Sequence, residues 1–420
     1  MFEKGIKYFI LGLIFLMPII NLFYGRLVWT YLFVDTSTKI VIFAAILIFI
    51  FLIFKIYKNK YHRSYFIHLF KNNYLFLFFT LIYLWSFISF NLSSDLYISF
   101  NGTFHYGEGF RAYTCYYLIF LFTFFIKDKR MIRISLELLV AGGALLICFN
   151  FFDSMDLIRY VSYRNDLLTF ECLNHYGYYT NIISLTCIYL FITTENKKLY
   201  PLRFVEFFLC INSLMVARSS GPYLGVLISL LALNFIVFIK EKDLRTKLVL
   251  IDIQFIAYSL FLNTGSWDLL QDALKILNDI GLIKNNGFLI NNSTDSIGSG
   301  RGVLWRAGIK LSLEKPIFGF GPDNLYILDN DNLINFRPHN TLIQFAAMLG
   351  YPALIFYLSA LLFHLKTFIL NFKNTSFKNY GLYMVVLGYL ISSFFGYPTI
   401  YVTPIFIIIL VYTYTLIKGK

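Results

Sequence analysis

Apolar residues run along this chain in long unbroken blocks. They show neither the three- and four-residue spacing of a surface helix nor the alternation of a half-buried strand. The blocks approach the ~20 residues that an α-helix needs to cross a bilayer. They predict twelve membrane-spanning helices, at about 7–24, 39–57, 74–94, 112–126, 134–151, 176–193, 202–217, 222–239, 247–262, 338–363, 381–396 and 400–417. Barrel strands would carry a period of two, which these blocks lack. The expected fold is therefore an all-α polytopic membrane protein. Connections are short except for 263–337, one long segment between the ninth and tenth spans. Without repeats or low-complexity linkers, 1–420 reads as a single integral membrane domain containing that loop. The opening MFEKGIKYFILGLIFLMP imitates a secretory signal, but no small-x-small cleavage site follows it, so it is read as the first span.

Composition agrees with the pattern. Of 420 residues, 58% are apolar and 14% charged, against about 45–50% and roughly 25% in soluble domains. With a mean hydropathy of +0.66, a soluble enzyme and a disordered chain are both excluded. The five cysteines (115, 148, 172, 187 and 210) have no metal or redox spacing and read as core residues.

Charge changes the picture more. The chain has 36 Lys and Arg against 23 Asp and Glu, a net +13. In a membrane protein this is first a matter of orientation, because cytoplasmic loops collect Lys and Arg. With connections assigned to alternate sides, 23 of the 36 fall on the side of the two termini and 13 on the other. Seven of those 13 lie in the long segment, where the bias does not apply. Both termini are thus expected in the cytoplasm and 263–337 outside, and no nucleic-acid partner is needed to explain the charge. Residue types divide as well. The inner set is 18 Lys and 5 Arg, whereas the outer set has 8 Arg (26, 111, 159, 164, 218, 301, 306 and 337) and 5 Lys. Arginine grips phosphate in bidentate fashion, and lysine acts as a solvated point charge. The outer arginines therefore suggest a site for a phosphorylated lipid, although snorkelling anchors account for Arg26 and Arg159.

Within the long segment, 266–284 has its leucines on one face and its aspartates on others, which predicts an amphipathic helix. A Gly/Ser/Asn loop follows, and then a second helix at 302–314 that ends before Lys315-Pro316. The richest chemistry lies in GSGRGVLWRAGIKLSLEKPIFGFGPDN (298–324) and RPHNTLIQFAAMLGYPALIFYL (337–358). Arg301 opens a helix just after Gly298-Ser299-Gly300, where free N–H groups and a guanidinium favour an anion. Gly319, Gly321 and Pro322 make a tight turn. His339 opens the tenth span, where it is placed to take a proton from an acceptor hydroxyl. Read singly, His339 is equally an interfacial or capping residue, and Arg301 equally a helix-end ion-pair partner.

Together these residues resemble the signature region of the O-antigen ligase and polymerase superfamily, often described as the Wzy/WaaL type. That pattern is an Arg-containing Gly/Ser segment, a Trp, a Pro-x-x-Gly-x-Gly turn and a His-Asn pair opening the next helix. Here these are Arg301, Trp305, Pro316 to Gly321, and His339-Asn340. Three other stretches are similar to further family segments. They are VARSSGPYLG (216–225) with Arg218, FECLNHYGYYTN (170–181) with Asn174 and His175, and FNGTFHYGEGFRAY (100–113) with Glu108 and Arg111. In the last of these, Tyr106 stands where the family has a basic residue.

The resemblance implies a glycosyltransferase whose donor is a glycan on undecaprenyl diphosphate, presented at the outer face of the cytoplasmic membrane. It needs no cofactor and no metal, since diphosphate is itself a good leaving group. Arg301 and Arg218 are implied to stabilise the departing diphosphate, and His339 to act as general base. Arg111, Glu108, Asn174, His175, Trp305, Gly319, Gly321, Asp323 and Asn340 are implied substrate-binding residues. The expected reaction is inverting polymerisation of repeat units into a capsule or O-antigen polysaccharide. The alternative is ligation of the glycan to lipid A core, a wall polymer or a protein. A lipid-linked oligosaccharide flippase is less favoured, because the two halves of the chain differ and the polar clusters lie at helix ends. Expected partners are the lipid-linked donor, a glycan acceptor, the bilayer, a flippase and a chain-length regulator.

Overall fold

A computed structural model describes residues 2–25, 32–59, 63–154, 170, 173–217, 219–262, 301–329 and 332–418. The first nine helices are α1 (Phe2–Phe15), α2 (Met17–Gly25), α3 (Leu32–Asn59), α4 (Arg63–Asn72), α5 (Tyr74–Asn91), α6 (Leu96–Asn101), α7 (Phe110–Phe124), α8 (Lys129–Ser154) and α9 (Leu173–Thr193). Then come α10 (Tyr200–Val216), α11 (Ser220–Ile239), α12 (Arg245–Ala257) and α13 (Arg301–Glu314). A hairpin, β1 (Tyr326–Asp329) and β2 (Asn332–Asn335), leads to α14 (Thr341–Leu349) and α15 (Tyr351–Phe372). The last elements are α16 (Phe377–Tyr380), α17 (Tyr383–Ser393) and α18 (Thr403–Lys418).

Among the described residues, six helices are long and apolar enough to cross a membrane, and α18 is a shorter apolar helix. The chain is a multi-pass membrane protein, but only these six of the twelve expected spans meet both criteria. One other expectation is corrected. The expected tenth span, 338–363, is two helices, because the chain breaks at Gly350 into the short α14 and the long α15. The fold is all-α as expected, with one short antiparallel hairpin added, which pairs Tyr326 with Asn335 and Asp329 with Asn332. Two four-residue runs are too short to register against blocks of ~20 apolar residues. The helix expected at 302–314 is α13, whereas that at 266–284 lies outside the described residues.

Helix α9 is the centre of the bundle, buried from His175 to Thr193. It packs against α8, α10, α11 and α17. Small residues allow this: a Cβ on Gly225 of α11 would stand 2.4 Å from the Gly388 carbonyl of α17 and 2.6 Å from Asn181 of α9. Close approach through small side chains is how helices associate where lipid removes the hydrophobic drive. Cys115, Cys187 and Cys210 are buried free thiols, and Cys148 is half-buried. The two ends of the bundle differ. At one end, Glu3 pairs with Lys55 at 2.6 Å, Lys4 with Asp128 at 3.5 Å, and Lys418 reaches the Asn72 carbonyl at 3.5 Å. Both terminal helices and the Lys-rich connections therefore share that end. The opposite end carries the GFGPDN turn, the hairpin and the RPHN segment.

Candidate functional site

The site is built on the broken tenth span. Asn340 starts α14: its side-chain oxygen accepts from the backbone N–H of Leu342 at 2.9 Å and of Ile343 at 3.1 Å, an N-cap. The other end of α14 lies inside protein, where its carbonyls need donors. Each finds one. Gly350 N–H bonds to Ala346, Phe320 N–H to Ala347 and Gly321 N–H to Met348, while the Trp85 indole donates to Leu349 at 3.0 Å. The glycine turn after α13 is thus the cap of α14. Gly319 has φ +66°, and a Cβ there would lie 2.3 Å from the Met348 carbonyl oxygen. Phe320 and Gly321 hold the half-helix through their N–H groups, and Gly319 lets the turn approach that closely, so the structure gives both glycines a framework position.

Directly after this turn, Asp323 adopts φ +55° and is fully buried. Its carboxylate accepts from Thr103 N–H at 2.8 Å and from Glu108 N–H at 3.0 Å, and it pairs with the Arg337 guanidinium. Burial pushes this carboxyl up, while Arg337 and the two N–H groups oppose the shift. The cluster ties together three segments: the 102–109 loop, the GPDN turn and the RPHN segment. Arg337 is only 4% exposed and lies over the Tyr106 ring, 4.3 Å from its centroid. Glu108 is buried beside it. One of its oxygens accepts from the Tyr116 hydroxyl at 2.5 Å, and the other has no partner among the described residues. Burial pushes this carboxyl up to about 8, so it is protonated at neutral pH. Glu108 borders a cavity of about 80 Å³ lined also by Tyr113, Tyr116, Thr341, Tyr389 and Phe406.

His339, half-buried, follows Pro338 with φ +50°, a left-handed backbone for a residue other than glycine. Such conformations persist where surrounding structure holds them, and they cluster at functional sites. Among the described residues its ring nitrogens have no hydrogen-bond partner. The ring stands edge-on to Tyr397, 4.9 Å between centroids. Burial, with Arg301 and Arg337 in electrostatic reach, lowers its pKa to about 4. The imidazole is therefore neutral at pH 7 and able to accept a proton. Arg301 is the first residue of α13, two turns before Gly308 and on the same face. A Cβ on Gly308 would lie 2.7 Å from Ile343 and 2.9 Å from Pro338, so α13 rests directly on the His339 segment. That contact brings Arg301 to the histidine.

The remaining expected residues have partners of their own. Trp305 packs its indole against Phe394 and Phe395, and its buried N–H has no partner among the described residues. Arg111 bonds to the side chain and carbonyl of Asn101, both at 3.1 Å, and so closes the end of α6. Asn174 accepts from Ser219 at 2.8 Å and links the starts of α9 and α11. His175 is 2% exposed with both ring nitrogens engaged by tyrosine hydroxyls, those of Tyr397 and Tyr401. Arg218 lies outside the described residues. Sequence reasoning counted Arg337 only among the outer arginines and gave no role to Tyr106 or Tyr397. The available signals were an arginine two residues before His339 and a tyrosine where the family has a basic residue. Nothing in the sequence singled out Tyr397. Among the described residues no group of three or more His, Cys, Asp or Glu side chains converges to hold a metal.

Residues 206–358 match the family model described as O-antigen ligase. Over this segment the chain is similar to the O-antigen ligase family. The matched segment runs from within α10 to within α15 and includes Arg301, Trp305, the glycine turn and the His339 segment. No curated protein and no solved structure matches the chain. Members of this ligase family are enzymes acting on lipid-linked glycans.

Proposed function

We propose that the protein is an inverting glycosyltransferase that joins undecaprenyl-diphosphate-linked oligosaccharides into a surface polysaccharide. In this reading both termini are cytoplasmic and the His339 end faces outward across the cytoplasmic membrane. The observation that carries it is His339 itself, a strained, half-buried, neutral imidazole beside two arginines. The acceptor sugar's hydroxyl attacks the donor's anomeric carbon while His339 takes its proton. The C–O bond to the diphosphate breaks on the opposite face, so the anomeric configuration inverts. The electron pair leaves with the diphosphate, where Arg301 and Arg218 stabilise the developing charge. Among the described residues Arg301 has no carboxylate partner, which leaves its charge available to an anion. Transfer to a non-lipid acceptor uses the same chemistry, and the product separates the two readings.

The test is purified protein in lipid nanodiscs with a defined lipid-linked repeat unit. A ladder of products is expected of a polymerase, and none in His339→Ala or Arg301→Ala. Arg301→Lys should also be defective, because a point charge does not replace a planar fork. Undiminished ladders in either alanine variant would overturn the site. Activity should survive EDTA; loss of turnover on chelation would mean that a metal takes part.

A further inference from the structure

We propose that Tyr397 and His175 are positioning residues for His339, with Tyr397 the hub on which the site's base and its buried arginine are both mounted. The proposal rests on the transfer reaction above for its meaning and on geometry for its content. Tyr397 lies in the connection between α17 and α18 and meets His339, Tyr106, Arg337 and His175. Its ring meets His339 edge-on at 4.9 Å and Tyr106 edge-on at 5.4 Å, and the Arg337 guanidinium lies 5.6 Å from its centroid. Its hydroxyl shares a 2.8 Å hydrogen bond with Nε2 of His175, whose Nδ1 is held by the Tyr401 hydroxyl. His175 therefore has no nitrogen left for substrate. It fixes the rotation and depth of the Tyr397 ring, and that ring walls one side of His339.

The groups facing His339 come from four elements. Arg301 comes from α13, Arg337 from the segment that carries His339 itself, His175 from α9, and the uncharged Tyr397 ring from the α17–α18 connection. Both arginines disfavour a charged imidazole, and the ring excludes water that would stabilise one. Removing the wall should thus raise the pH at which His339 gains its proton, whereas removing the hydroxyl alone should loosen the geometry.

Two measurements test this. In the nanodisc assay, Tyr397→Phe and His175→Ala should each lower kcat about three- to tenfold, the worth of one hydrogen bond, with KM for the lipid-linked donor unchanged. The double variant should be no worse than either single one, and His175→Gln, which keeps a donor, should recover part of the loss. Losses that multiply in the double variant would overturn the relay. The second measurement needs no turnover. Labelling of His339 by diethyl pyrocarbonate, followed by peptide mass spectrometry across pH 4–8, should show a higher midpoint in Tyr397→Leu than in wild type. An unmoved midpoint would overturn the wall. A shifted midpoint in a protein that makes no polymer would leave the positioning intact and reject the transfer reading alone.

Discussion

Glu108 and Arg337 show what single residues cost and contribute here. Glu108 has a carboxyl raised by burial to about 8, so the folded protein holds a proton that the unfolded chain releases near 4.5. The stability this group confers is present below 4.5 and is lost as pH rises through about 8. Glu108→Gln mimics the protonated form, so its stability relative to wild type should rise between pH 5 and pH 8.5. Thermal unfolding in detergent at the two pH values checks this, and a constant difference would contradict it. Arg337 neutralises Asp323, which is fully enclosed. Arg337→Ala leaves a buried carboxylate without its cation and should destabilise by about 3–5 kcal/mol. Adding Asp323→Asn should restore part of that loss, since the amide oxygen still accepts from Thr103 while the charge is gone. These residues were partly legible in the sequence. Asp323 and Glu108 stood out as acids among outer-face motifs, but their burial depends on segments more than 200 positions apart that meet only in the fold.

At the scale of elements, the decisive feature is a helix that stops early. Apolar content is continuous from Thr341 to Phe372, so hydropathy reads one span. Gly350, with φ +86°, and Pro352 in the first turn of α15 end α14 after nine residues. The carbonyls released at the break are taken up by the glycine turn from 319 to 321 and by Trp85. A side chain at position 319 would enter the Met348 backbone, so Gly319→Ala should destabilise the fold severely. Gly5→Ala is the contrast. A Cβ there meets nothing within 4 Å, and the site is inside α1, so the substitution should stabilise by up to about 1 kcal/mol. Unfolding midpoints of the two variants should move in opposite directions. The motif Pro-x-x-Gly-x-Gly was visible in the sequence as a turn. What the turn holds was not, because its partners are backbone groups of another helix.

Across the whole molecule, charge and shape coincide. The Lys-rich connections meet at the end that carries both terminal helices, and the site occupies the other. This is the arrangement that alternating spans require, and it supports the orientation argued from the 23 cations of the first set. A membrane-impermeant maleimide should label Phe104→Cys in intact cells, and Lys378→Cys only after permeabilisation. The reverse pattern would invert the topology. Both positions are exposed, so failure to label would report sidedness rather than burial.

The sequence by itself determined the solvent of this protein, the end of the bundle at which its lysines gather, and the stretch that resembles a known family. Those properties follow from composition and local order, which bilayer thickness and the positive-inside bias read directly. Only the tertiary structure decided which polar groups face one another. It placed Arg337 on Asp323 and Tyr106, gave the ring nitrogens of His175 to Tyr397 and Tyr401, and divided one apolar run into two helices. Each of those outcomes turns on satisfying a buried hydrogen-bonding group or charge with a partner distant in sequence, and no local pattern of residues specifies which partner that will be.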